Sequence, residues 1–563
     1  MKRQARAFFA LDFGSATTSA ALIGRPGVCW RLIAHAAAPS TTPLGLHLAD
    51  LLARVRTADA DLFASLMPAP DEESDAAEVL DLAHLAATLP RLEARSSPSR
   101  RIAVLAGSRR QRIQLESAAI RAGWLVVSGS ADEDDPVALS RMVLSTDVGA
   151  VLLGADHSPA GDEKRHLPLL AALVVAADRC RSELTVVLAG GAGVHEGAFP
   201  QADGRPMESV QAGPRSHNVL IAPDAAAGEP AGAALQQVLE GLRAVPNDSR
   251  LCFARSISSL ASVLERSIEG IEIGLEGGLR CRAERLAPGS KTIVSGHAAP
   301  GFASFAPPDL DDAVIEGLVA WSPVALDRYR VTDRMRDLRI SPWGDADGDG
   351  ALLRAVAAKA ATERAIVATP EISARPAPDL IVAGGGTWAS MPPSLAALAL
   401  ADVVRRPGIS RLAVDHARLL GPLGAIDDED ERCRMLTDLS DDLLLPLGSV
   451  IMPAGMRQGR SAGKMTVRTA GSDAAAVVEL DLQPGELHAI PLAPGESATA
   501  EMEFRDNVRL SERGRIFSLA VDGGLAGMLV DLREVPLRVS DRSEARRVAL
   551  EAWQRVVWAE SAE

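Results

Sequence analysis

A carboxylate at the end of an apolar run is an unusual placement, and the stretch LDFGSATTSAALIG, Leu11 to Gly24, has one. Asp12 is followed by Gly14 and by the hydroxyls of Ser15, Thr17 and Thr18 before the chain turns apolar again. Such an aspartate can hold a hydrated magnesium ion, and a turn rich in backbone N–H groups and hydroxyls can hold phosphate oxygens. The same residues would also make a plain hairpin with a polar turn. A second cluster, DLIVAGGGTWAS, sets Gly384, Gly385 and Gly386 directly after an apolar run. Without Cβ atoms these positions let a ligand approach the backbone, and a helix start after them offers N–H groups. Alone the cluster reads as a tight turn; with the first it describes one anionic ligand held from two sides.

Other candidate chemistry is poorer. WGDADGDGALLRAV carries Asp345, Asp347, Asp349 and Gly350 at calcium-loop spacing, but the twelfth position is Val356 where the loop needs a bidentate Glu. An acidic turn is the better reading. LAGGAGVHEG, with Gly191 and Gly193, does not complete the glycine pattern of a dinucleotide site. No H-x-x-x-H or H-E-x-x-H occurs, and His157 and His297 are isolated. No serine sits in a G-x-S-x-G elbow.

The elements that must position the two glycine turns follow from periodicity. Residues 7 to 37 read as a three-strand antiparallel meander, AFFALDFG, TSAALIG and VCWRLIAHA. Residues 45 to 65 and 75 to 95 have helical spacing. From 101 to 245 apolar runs (RIAVLAGS, WLVVSG, AVLLGAD, LTVVLAGG, NVLIAP) alternate with amphipathic helices, which predicts a doubly wound parallel subdomain. SISSLASVLERSIEGIEIGL reads as a helix, TIVSG as a strand, and 350 to 367 as an Ala-rich helix. After about 445 the period becomes two, as in AVVELDLQPGELHAIPL, which predicts a separate β-sandwich or barrel closed by a C-terminal helix.

At 563 residues the chain exceeds what one core supports, so several domains are expected. The net charge of −15 has no clustered basic footprint, which argues against nucleic acid as a partner. The five cysteines, Cys29, Cys180, Cys252, Cys281 and Cys433, form no C-x-x-C pair, which fits a reducing, cytoplasmic setting. The basic start MKRQARAFFALDFGS is interrupted by Asp12 before a signal core can form, and nowhere do 18 apolar residues run together, so neither a leader nor a membrane span is expected.

LDFGSATTSAALI, DLIVAGGGTWASMPPSLAALALADVVRRPGISRLAVDHARLLGPLGAI, LLPLGSVIMPAGM, LVAWSPVALDRYRV and VDGGLAGMLVDLREVPLRV together resemble the glutamate mutase L family. That family belongs to the actin, sugar kinase and heat-shock chaperone superfamily of ATPases, and the resemblance covers nearly the whole chain. It implies an α/β chain with a two-lobed actin-like (ribonuclease H-like) fold, carrying a doubly wound insertion and a C-terminal all-β domain. The expected domains are a first lobe at 1–100, the insertion at 101–245, a second lobe at 246–445 and the β domain at 446–563. The resemblance implies ATP and magnesium as cofactors. It places Asp12 on the metal through water, Gly14, Ser15, Thr17 and Thr18 on phosphates, and Gly384, Gly385 and Gly386 on the adenosine side. It implies a protein partner, an adenosylcobalamin-dependent mutase, for which the chain would be a reactivating accessory. The family's second phosphate loop, with Asp in the lead, is expected in TIVSGHAAPGFAS, where Ser295 stands at the acidic position; its middle-domain glycine turn is reduced to Gly154, Asp156 and Gly161. Both departures imply weak ATP turnover or none, or a non-catalytic scaffold of the same fold.

Overall fold

The structure is a computed structural model that describes residues 6–67, 82–97, 100–154, 172, 184–190, 218–223, 229–243, 245–285, 292–295, 303–307, 310–323, 327–342, 348–469 and 477–558. The chain divides into two compact units, one of Met1–Ser96, Pro246–Gly296 and Ala303–Glu563, the other of Ser97–Val245 with His297–Phe302.

The first unit opens with β1 (Ala7–Phe13), β2 (Thr17–Gly24) and β3 (Arg31–Pro39), an antiparallel meander, joined by β4 (Arg91–Arg95) parallel to β1, in the order β3-β2-β1-β4. Alternate residues face opposite sides of a strand. Phe9, Leu11, Ala20 and Leu22 therefore pack on Leu48, Leu51 and Leu52 of the helix Leu44–Ala58, while Ala10, Ala21 and Ile23 face a second core that includes Phe253 and Ile257. The helix expected to run to residue 95 ends with Leu82–Thr88, and its last segment is instead β4. Pairing with β1 overrode the local preference here, because Arg, Leu, Glu and Ala all favour a helix.

The second unit is the expected doubly wound sheet: β5 (Arg101–Ala106), β6 (Leu125–Ser130), β7 (Val148–Gly154), β8 (Thr185–Ala189) and β9 (Asn218–Ala222) are all parallel, in the order β6-β5-β7-β8-β9. Both faces are covered. Ile102 and Val104 pack with Leu115 and Leu239 on one side, Ala103 and Leu105 with Leu139 and Val143 on the other. Gly154 closes β7; Asp156, Gly161, Gly191 and Gly193 lie outside the described residues.

Back in the first unit the chain repeats its opening. The helix Ser249–Leu264 ends where Glu265 takes a left-handed conformation (φ 53°), and β10 (Ile268–Ile273), β11 (Gly278–Arg285) and β12 (Thr292–Ser295) form a second antiparallel meander. The continuous helix expected through residue 275 is thus cut short. Residues Ile268, Ile271 and Ile273 are fully buried, and Gly270 admits Phe253 and Ile257 so closely that a Cβ there would meet both at 2.8 Å. β13 (Leu380–Gly384) lies parallel to β10 as β4 does to β1, and β14 (Gly408–Val414) lies parallel to β13.

The C-terminal strands are β15 (Leu445–Met452), β16 (Gly463–Thr469), β17 (Val477–Leu482), β18 (Leu487–Ile490), β19 (Ser497–Arg509), β20 (Arg513–Asp522) and β21 (Met528–Asp531). Four of them make an antiparallel sheet, β17-β16-β19-β20. The other three do not stand apart: they extend the second meander's sheet, whose full order is β12-β11-β10-β13-β14-β15-β21-β18. Buried Arg533 fastens this edge, pairing at 2.7 Å with Asp531 and at 2.7 Å with Asp402 of the helix Pro393–Val403. Among the described residues no helix is long and apolar enough to cross a membrane.

Candidate functional site

The repeated meander puts like residues in like places. Asp12 is the next-to-last residue of β1 and Gly14 follows the strand; Glu272 is the next-to-last residue of β10 and Gly274 follows it. Each glycine closes the same tight turn: Gly14 N–H donates to the Thr17 carbonyl at 3.0 Å, and Gly274 N–H to the Gly277 carbonyl at 2.7 Å. Glu272 is therefore the counterpart of Asp12. Ser295, where the resemblance placed the second acidic position, lies in β12, the third strand of the meander, paired with Arg282, whereas the position that repeats Asp12 holds Glu272, in EIG at 272–274. Residues 296–302 of that expected loop lie outside the described residues.

The glycine turn after β13 meets both hairpins. Gly385 has φ +88°, and a Cβ on it would stand 2.6 Å from the Ile273 carbonyl oxygen and 3.1 Å from Glu272 Oε1. A Cβ on Gly386 would stand 3.5 Å from Thr17 Oγ1 and 3.1 Å from Arg418 Nη1. Gly384 serves a different purpose, since its missing Cβ makes room for the Phe253 ring at 2.4 Å. After Gly386 the chain makes a four-residue helical turn, Gly386–Ala389, whose ladder begins with Ala389 N–H to the Gly385 carbonyl.

Asp12 is buried and both its oxygens are engaged. Oδ1 accepts from Ser249 Oγ at 3.1 Å, at the first residue of the 249–264 helix. Oδ2 lies 3.0 Å from Arg418 Nε, a charge contact without hydrogen-bond alignment. The guanidinium's aligned donors go elsewhere: Nη2 to the Asp12 carbonyl at 2.8 Å and the Thr17 carbonyl at 3.0 Å, and Nη1 to Thr17 Oγ1 at 2.6 Å. Arg418 itself is held in a left-handed conformation, φ 55°, which a non-glycine residue adopts only when its surroundings enforce it. The enforcing group is Asp415, directly after β14. Its carboxyl oxygens accept from Leu419 N–H at 2.8 Å and Leu420 N–H at 2.9 Å, while its carbonyl accepts from Arg418 N–H at 3.2 Å.

Of the hydroxyls singled out in the sequence, only Thr17 reaches this cluster. Asp12 pairs across the hairpin with Ser19, so Thr17 and Ser19 share its face, and Ser19 Oγ donates to the Ala417 carbonyl at 3.1 Å. Thr18, opposite Phe13, falls on the other face. Ser15 is exposed at the turn, where its carbonyl accepts from Ser40 Oγ at 3.0 Å.

Burial sets the protonation of two carboxyls. The Glu272 carboxyl is pushed up to about 8, first by loss of solvent and then by the neighbouring charges of Asp12 and Asp248, against the pull of Arg250 and Arg418; its Oε2 has no hydrogen-bond partner. Asp415 is pushed up to about 7, again mainly by burial, with its two backbone donors pulling the other way. Glu272 is therefore chiefly neutral at pH 7 and offers a cation little. Magnesium held by Asp12 through water would have to share the carboxylate with a cation already present, since Oδ1 accepts from Ser249 and the Arg418 guanidinium stands 3.0 Å from Oδ2. Among the described residues no three His, Cys, Asp or Glu side chains gather as metal ligands.

Glu272, Ser249, Asp415 and Arg418 were not singled out from sequence. The one available signal was the echo of DFG in EIG, each following an apolar strand. No family model and no curated protein matches this chain.

Proposed function

We propose that this chain is a nucleotide-binding protein of the two-lobed actin-like architecture, holding ATP between the hairpin turns of its two meanders, in the cytoplasm, and acting on a protein partner. The observation that carries the reading is the repeat itself. The first strand of each meander ends in a carboxylate, a spacer and a glycine, and the Gly385–Gly386 turn lies beside both hairpins, Gly385 by Glu272 and Gly386 by Thr17. Backbone N–H groups in turns of this kind suit phosphate oxygens. The glutamate mutase L resemblance gives the partner its class, an adenosylcobalamin-dependent mutase, with lobe closure on nucleotide as the signal passed to it.

Turnover is slow or absent in this reading. Activating a water needs an ionised carboxylate, and Glu272 is neutral near pH 7 while Asp12 is committed to Arg418 and Ser249. The same commitment favours a second reading, a non-catalytic scaffold whose lobes stay in one state. Calorimetric titration of the full chain with ATP, followed by a phosphate-release assay, separates the two. The proposal expects saturable heat with little or no phosphate released; a chain that gives no heat and no thermal shift with ATP or ADP is the scaffold.

A further inference from the structure

We propose that the Arg418 guanidinium is the resident cation of this site and stands where a divalent metal would stand at Asp12, so that the site binds a polyphosphate without a divalent metal. The inference rests on the nucleotide reading for the anion's identity; its metal half stands on Asp12 and Arg418 alone.

The guanidinium is built in. Its side chain is 5% exposed, it faces Asp12 Oδ2 at 3.0 Å, and its two Nη groups bridge the Asp12 and Thr17 carbonyls and the Thr17 hydroxyl. The Asp415 loop fixes it from behind through the left-handed backbone at Arg418. A group held by this many contacts is part of the site's architecture.

Its chemistry suits the role. A guanidinium does not lose its charge in proteins; with both Nη2 hydrogens and one Nη1 hydrogen given to Asp12 and Thr17, it acts on a phosphate chiefly as a fixed positive charge, with one Nη1 hydrogen left to donate. Nη1 lies 3.1 Å from where a Cβ on Gly386 would be, so the glycine turn packs directly on the guanidinium and a phosphate held by the turn's backbone N–H groups would border the same charge. Magnesium, by contrast, demands an octahedral shell and keeps most of its waters. With Ser249 on one Asp12 oxygen and the Arg418 charge 3.0 Å from the other, a hydrated divalent ion at Asp12 would stand against a like charge while the guanidinium stays.

The test has two arms on the full-length protein. In the first, ATP is titrated calorimetrically in EDTA and again in excess magnesium. The wild type is expected to bind with dissociation constants within about threefold of each other, and R418Q to lose more than about tenfold of its metal-free affinity. Binding by the wild type that requires magnesium overturns the proposal. In the second arm, free manganese is followed by electron paramagnetic resonance without nucleotide. R418Q, with Asp12 released, is expected to bind manganese where the wild type does not. Manganese bound by the wild type and lost in D12N overturns the proposal even if R418Q fails to fold, which circular dichroism monitors. An absence of ATP binding under every condition removes the nucleotide reading, while the manganese arm still decides what Arg418 does.

Discussion

A carboxyl as deeply buried as Glu272, with one oxygen unpartnered, stays protonated in the folded chain to about pH 8, while in the unfolded chain it ionises in the ordinary range. Between those two values the folded state binds the extra proton, so this residue makes stability fall as pH rises from about 4.5 to about 8, and its effect levels off above that. Glu272→Gln removes the titration and keeps the shape. The melting temperature of the variant, relative to wild type, is expected to rise between pH 5.5 and pH 8 by the equivalent of about 1–3 kcal/mol; parallel pH profiles for the two proteins would show that Glu272 is ionised in the fold. Asp12, Gly14, Thr17, Gly385 and Gly386 could be read from sequence because their signal is local: a charge where apolar residues are expected, and glycines where a backbone must turn. Ser249 and Arg418 carried no such signal. They reach Asp12 from sequence separations of 237 and 406 residues, and only the folded chain supplies those neighbours.

At the scale of elements, the crossing of the 249–264 helix with the short helical turn Leu420–Gly424 positions the site from below. Ser249 begins the one and Arg418 precedes the other, and Ser256 Oγ donates to the Leu420 carbonyl at 2.6 Å between them. The crossing is close enough that a Cβ on Gly424 would lie 1.8 Å from the Cys252 carbonyl oxygen. Gly424→Ala must push the two backbones apart, and urea unfolding is expected to show a loss of about 2–4 kcal/mol, at the high end for overpacking because the obstacle is backbone. A loss under about 0.5 kcal/mol would mean the crossing is looser than described. This region also marks where periodicity misleads. Leu264, Ile268, Ile271 and Leu275 recur at helical spacing, yet the run is also a continuously buried strand, and the decision came from β11 and β13, which pair with both edges of β10. The parallel strands β5 to β9 were legible because each is a continuous apolar run between amphipathic helices, a pattern that only a sheet covered on both faces requires.

At the scale of the whole chain, the period-two segment after residue 445 looked separable, yet β15, β21 and β18 continue the sheet that carries Glu272 and the glycine turn. Removing them would strip β14 of a partner and leave buried Asp402 with Lys359 as its remaining cation in place of Lys359 and Arg533 together. A chain ending at Leu444 is accordingly expected to lack a cooperative thermal transition; a sharp transition would show the C-terminal part to be an independent addition. The alternating pattern disclosed strands but could not say which sheet each joins, since that is settled by pairing across the chain. The central claim, that one nucleotide is held where the β1–β2 turn, the Glu272 hairpin and the Gly385–Gly386 turn meet, is tested most directly by amide hydrogen exchange of the full-length protein with and without saturating ATP. Slowed exchange confined to residues 13–18, 272–278 and 385–390 is the predicted result. Unchanged exchange in all three segments while ATP is demonstrably bound would place the nucleotide elsewhere and contradict the account.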